Sequence, residues 1–192
     1  MRPCILDRVE SEGHAVFESG DFNVNIVGVR TSDSRANSFN DYLHLIYKDD
    51  GEWVEKIYSI TTDPGVYWLD NPGRIEGTAI LVPGQYRSVY RIDKHSGKYD
   101  ALCQRGGKVK VWRDANRDNV LDWHTGEEYE GYYGINIHRS TARGTSAQVN
   151  KWSAGCQVFA NSDDFKEFMS ICKKAKSVWG NSFTYTLLEN QF

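Results

Sequence analysis

The sequence predicts a mainly β, α+β domain, on three observations. Short runs of β-branched and aromatic residues alternate with polar ones along most of the chain. Aromatics make up 13% of the residues, including six Trp and eleven Tyr, a composition suited to pleated, half-buried surfaces. Only one stretch, residues 161–175, carries a sustained helical stripe. With 192 residues, 40% of them apolar, the chain is long enough to bury one substantial core.

In order, residues 1–20 read as an N-terminal extension in which Ile5, Leu6 and Val9 form a short helical stripe, and residues 21–192 as a single domain. Phe22 to Val29 alternates and predicts a strand, followed by a polar loop from Thr31 to Asn40. Tyr42–Tyr47 and Trp53–Ile60, joined by Lys48-Asp49-Asp50-Gly51, predict a hairpin whose Asp-Gly supplies the positive-φ residue. Thr78–Val82, the Pro83-Gly84 turn, Tyr86–Ile92 and Val109–Trp112 predict further strands. Lys94 to Gly107, with Ser96-Gly97 and Gly106-Gly107, reads as a loop. In the 161–175 helix Phe165, Phe168, Met169 and Cys172 share one face, with Asn161 or Ser162 as cap and Asp163-Asp164 in the first turn. Phe183 to Leu188 predicts a closing strand.

A net charge of −3 with no Lys/Arg tract excludes the electrostatic footprint of a nucleic-acid binder. The four cysteines, Cys4, Cys103, Cys156 and Cys172, show no C-x-x-C pair, so neither a zinc ribbon nor a thioredoxin-type site is suggested, and reduced thiols are expected. No segment approaches the ~18 apolar residues of a membrane span, and the first ten residues lack an apolar run of secretory length. The expectation is a monomer made in a cytoplasm that reaches its target by release, injection or virion packaging.

Gly131 to Phe159 carries the chemistry. Ile135-Asn136-Ile137 reads as a strand delivering His138, and Gln157-Val158-Phe159 as a strand leaving Cys156. The Ser-, Thr- and Gly-rich loop between them lets a thiol and an imidazole meet. A cysteine nucleophile needs such a base, because only the thiolate attacks. Gly155 allows a tight turn that aims backbone N–H groups at a developing oxyanion. His44 reads as structural, and His14, His95 and His124, in polar contexts, as surface residues.

His138 followed by Ser153-Ala154-Gly155-Cys156 resembles the signature of the L,D-transpeptidase (YkuD-type) catalytic domain, in which a histidine precedes a Ser/Thr-His-Gly-Cys motif. The hairpin and the Pro-Gly turn extend the resemblance over roughly residues 37–159. The chain departs from the pattern at Ala154, where the family has His, and at Val158, where it has Arg. The resemblance implies an L,D-transpeptidase-like β-sandwich or barrel. It also implies acyl transfer or hydrolysis on peptidoglycan stem peptides, with Cys156 as nucleophile, His138 as base, Gly155 at the oxyanion site, and Ser153 supporting the turn or the imidazole. No cofactor is implied for catalysis. Tyr133, Trp152 and Gln157 are candidates for the substrate groove, and Arg139 or Arg143 for a carboxylate anchor replacing the missing arginine.

Asp114-Ala-Asn116-Arg-Asp118-Asn119-Val120-Leu-Asp122 has the oxygen spacing of a calcium loop, with the Val120 carbonyl and Glu127 completing the candidate set for a structural Ca2+. Asn119 stands where Gly is usual, and Asn tolerates the left-handed conformation. Ala154 and Val158 favour the alternative function, a catalytically decayed, calcium-braced wall-binding or virion domain. A papain-like peptidase is disfavoured, since there the Cys precedes the His.

Overall fold

A computed structural model describes residues 1–190, 16% of the chain being helical and 38% strand. Helix α1 (Ile5–Ser11) buries Leu6 and Val9, the latter against Val27 and Leu188, so the N-terminal extension is packed onto the domain. Strand β1 (Asn25–Arg30) is followed by the expected hairpin of β2 (Asp41–Asp49) and β3 (Glu52–Thr61), with Asp50 and Gly51 both at positive φ. A short helix α2 (Val66–Asp70) leads to β4 (Thr78–Leu81), and after Pro83 the chain turns into the long β5 (Gly84–His95). The Pro-Gly turn thus divides two sheets, since β4 and β5 do not pair.

The region expected to be a loop contains a strand. Strand β6 (Tyr99–Gln104) returns along β5, with the Ser96-Gly97 turn as its hairpin connection. Six residues with Ala101, Leu102 and Cys103 all buried do not alternate, which hid the strand from a period-two pattern. Strands β7 (Val109–Asp114), β8 (Tyr129–Gly131), β9 (Ile137–Arg139) and β10 (Gln157–Phe159) follow, then helix α3 (Ser162–Trp179) and β11 (Phe183–Glu189). The Asn161 side chain caps α3 through the Asp163 and Asp164 N–H groups, as expected.

The strands make a closed barrel, β1-β11-β5-β6-β9-β10-β3-β2, and a small sheet, β4-β7-β8. Among the described residues only the β1–β11 and β9–β10 pairs are parallel. Phe159, Tyr58, Leu45, Tyr185 and Leu187 share one core with the α3 stripe of Phe165, Phe168, Met169 and Cys172. Leu69, Ile80, Val82, Trp112 and Leu121 form a second cluster joining α2 to the small sheet.

A group of charged side chains is sunk in this frame. Arg30 is fully buried, its Nε 3.0 Å from Thr62 Oγ1 and 3.1 Å from Asp63 Oδ1, and its guanidinium 5.6 Å from the Trp123 ring. Asp41 accepts from the Thr31 and Thr62 N–H groups alongside. No helix among the described residues is long and apolar enough to cross a membrane.

Candidate functional site

Parallel pairing of β9 with β10 places the site. Gln157 lies opposite Ile137, Val158 opposite His138 and Phe159 opposite Arg139. Ile137 and Phe159 belong to the barrel core, so alternation puts Asn136, His138, Cys156 and Val158 on the outer face. The thiol and the imidazole therefore share a face, one side-chain repeat apart along neighbouring strands.

Cys156 is partly exposed, and its Sγ lies 3.4 Å from the Asn136 N and 3.4 Å from the Gly134 carbonyl oxygen. Among the described residues no hydrogen bond joins Sγ to His138. His138 is 4% exposed and its Nδ1 is 2.8 Å from the Arg139 carbonyl oxygen, which can only accept. Nδ1 therefore carries the proton, and Nε2 is left as the basic nitrogen. Burial, aided by the neighbouring His95, lowers the His138 pKa to about 3, and burial pushes the Cys156 thiol up to about 11. Both shifts disfavour a standing thiolate–imidazolium ion pair at neutral pH.

Ser153 shapes the turn. Its fully buried hydroxyl donates to the Cys156 carbonyl at 2.8 Å and accepts from the Gly155 N–H at 3.1 Å. Gly155 has φ +114°, and a Cβ there would sit 2.3 Å from the Ala79 carbonyl oxygen of β4, so only glycine fits. Since its N–H is spent on Ser153, Gly155 does not offer an oxyanion donor as expected. The Cys156 N–H, without a hydrogen-bond partner among the described residues, is the remaining candidate.

His95, assigned to the surface from sequence, is at the site. Its ring stacks on His138 with centroids 4.0 Å apart and planes at 22°. The Asn136 amide fixes it, donating to His95 Nδ1 at 3.1 Å while its own Oδ1 accepts the Gln104 N–H at 2.9 Å. The sequence signal was faint: His95 sits at the tip of the β5–β6 hairpin, and only the pairing of Leu102 with Ile137 brings that hairpin beside β9.

Two clefts flank the Trp152–Ala154 segment. One, of about 430 Å³, is lined by His138, His95, Arg139, Lys98, Lys151 and Trp152. The other, of about 250 Å³, is lined by Ala154, Tyr133, Ala79, Trp68, Arg74 and Arg113. The groove candidates thus divide between them, Trp152 and Arg139 in the first and Tyr133 in the second. Gln157 is in neither: it is fully buried, and its side-chain oxygen accepts from Tyr185 Oη at 2.7 Å inside the barrel. Arg143 lies exposed on the loop, its N–H turned back to Thr141.

In the candidate calcium loop, Asn116 Nδ2 donates to Asp118 at 3.1 Å and to Asp122 at 2.9 Å, and Asp114 accepts the Asp122 N–H. The Val120 N–H is held by Asp118, and Arg117 and Asn119 have positive φ. Burial, with Asp122 and Asp118 nearby, raises the Asp114 pKa to about 6. Glu127 is exposed and hydrogen-bonds to none of these groups, and no cluster of three or more His, Cys, Asp or Glu side chains is gathered for a metal among the described residues. The amide nitrogen of Asn116 occupies the position between the carboxylates, so an ion would have to displace it.

Comparison with protein-family models, with curated proteins and with solved structures finds no match for the chain.

Proposed function

We propose that the protein is a cysteine-dependent acyl-transfer or hydrolytic enzyme of the L,D-transpeptidase type, acting on peptidoglycan stem peptides. The observation that carries the reading is the β9–β10 register, which sets His138 and Cys156 on one outer face, with His138 lining one cleft and Ala154, two residues before Cys156, lining another. In the reaction the thiol gives its proton to His138 Nε2 as sulfur bonds to the substrate carbonyl carbon. The oxyanion meets the Cys156 N–H. The C–N bond then breaks, and the imidazolium returns the proton to the leaving amine. Water or an amine next attacks the thioester, releasing a carboxylic acid or a new amide and restoring the thiol.

Incubating wild type and Cys156→Ser with purified muropeptides, read by mass, tests the proposal. Wild type is expected to change the mass of a stem peptide and the serine variant to leave it intact; unchanged peptides with both, or equal products from both, would overturn the reading.

The unlinked, neutral thiol and imidazole favour a second reading, a wall-binding or virion domain with a decayed catalytic set. Thiol labelling separates the two. In an enzyme His138→Ala slows alkylation of Cys156, whereas in a decayed domain it does not. On either reading a calcium ion in the Asp114–Asp122 loop would offset the burial and the neighbouring carboxylates that raise Asp114.

A further inference from the structure

Gln157, next to the nucleophile in sequence, is a polar residue that the barrel buries completely. Its side chain is held at both polar atoms. Nε2 lies 3.4 Å from the Thr62 carbonyl oxygen and 3.4 Å from the Gly155 carbonyl oxygen, and Oε1 lies 2.7 Å from Tyr185 Oη. Carbonyl oxygens only accept, so the amide NH2 must face both of them and the phenol must donate to Oε1. The reverse amide orientation would crowd acceptor oxygens together with no proton between them. Burial raises the Tyr185 pKa well above 10, which keeps that donor protonated. Gly28 of β1 makes the room: a Cβ there would sit 1.8 Å from Tyr185 Oη.

The Gly155 carbonyl belongs to the same peptide unit as the Cys156 N–H. That unit is planar and trans, so its C=O and N–H point in opposite directions. A carbonyl drawn inward to Gln157 therefore turns the Cys156 N–H away from the barrel interior, toward the face that carries the thiol. The flanking N–H groups are engaged, that of Gly155 with Ser153 Oγ at 3.1 Å and that of Gln157 with the Asn136 carbonyl oxygen at 2.9 Å. We infer that Gln157 is a positioning residue: its amide, oriented by Tyr185, locks the Gly155–Cys156 peptide so that the Cys156 N–H stands ready as oxyanion donor before substrate arrives. The inference rests on the catalytic reading of Cys156. A donor set in advance stabilises the negative oxygen with no reorientation during the reaction.

The test compares two reagents on Cys156, with the products read by peptide mass and the exposed Cys4 as internal reference. 4-Nitrophenyl acetate acylates a thiol through a tetrahedral oxyanion, giving the thioester and 4-nitrophenol. Iodoacetamide alkylates it by displacing iodide, and no oxyanion forms. Gln157→Met, which keeps the length of the side chain and loses both donors, is expected to lower Cys156 acylation about tenfold or more while alkylation changes less than about twofold. Tyr185→Phe keeps the ring against Tyr90 and is expected to shift the ratio the same way, severalfold, so it carries the test where Gln157→Met does not fold. An acylation-to-alkylation ratio equal to wild type in the folded variant, including an equal loss of both reactions, would overturn the positioning role and leave the catalytic reading standing. A wild-type Cys156 that 4-nitrophenyl acetate acylates no faster than Cys4 would remove the catalytic reading, and the inference with it.

Discussion

Two of the places where the molecule buries polar groups are organised oppositely. Around Arg30 a full charge is sunk in the barrel and answered by Asp63, Thr62 and the Trp123 ring, while Glu189 stands 3.7 Å away. Around His138 and Cys156 the hydrogen-bonding partners are neutral: one imidazole is held by a backbone carbonyl, the other by an amide, and the thiol by a peptide N–H. The first cluster opens on no cleft described above; the second lines one. Burial of polar groups therefore does not by itself mark a site. What distinguishes the second cluster is that His138 and His95 line a cleft, whereas the first keeps Arg30 Nη1 and Glu189 Oε1 buried without hydrogen-bond partners.

Substitutions can break this contrast in either direction. Removing the thiol in Cys156→Ala is expected to lower peptide turnover by at least about a thousandfold, some 4 kcal/mol in barrier height, while leaving the urea midpoint unchanged. Arg30→Ala inverts the outcome: stranding Asp63 beside a lost partner is expected to cost about 3–5 kcal/mol in equilibrium unfolding, with alkylation of Cys156 in the folded fraction unaltered. Gly155→Ala strikes both, since a forbidden φ and a clash with the Ala79 carbonyl are expected to cost about 3 kcal/mol and to shift the Cys156 labelling rate as the turn moves.

Protonation sharpens the comparison further. The folded-state pKa of His138, about 3, lies below the ordinary 6.5, so between those values the unfolded chain binds the extra proton. The stability His138 contributes is complete above pH 6.5 and is lost as the pH falls toward 3, by at most about 1.4 kcal/mol per pH unit. Asp114 runs the other way: raised from 3.8 to about 6, it weakens the fold as pH rises through that interval. Subtracting the pH–stability curve of His138→Phe from that of wild type should therefore isolate a term that grows from pH 3 to 6.5, and a flat difference would contradict the buried neutral imidazole. The smallest effect is expected at the Asp114–Asp122 loop, where millimolar calcium should raise the melting temperature by a few degrees, about 1 kcal/mol, and Asp118→Asn should abolish the rise.

Much of this arrangement could be read from the residues. His138, Ser153, Gly155 and Cys156 announced themselves by type and order, and the α3 stripe by its spacing, because each is a local pattern. What escaped needed the tertiary fold. His95 looked like a turn residue because its neighbours Ser96 and Gly97 are one; its stacking on His138 depends on β6, whose unbroken burial shows no alternation. Gln157, beside the nucleophile in sequence, was taken for a groove residue, yet strand parity turns it into the barrel.

The parallel bond ladder between β1 and β11 ties two segments that lie more than 150 residues apart in the chain. Until Phe183–Glu189 has been synthesised, β1 and β5 both present open edges, and the barrel is an unrolled sheet liable to pair with a neighbouring chain. Closure of the barrel accordingly depends on contacts of very long sequence separation. A nascent chain stalled before that segment would hold every residue of the Cys156 turn and still lack the closed wall behind it.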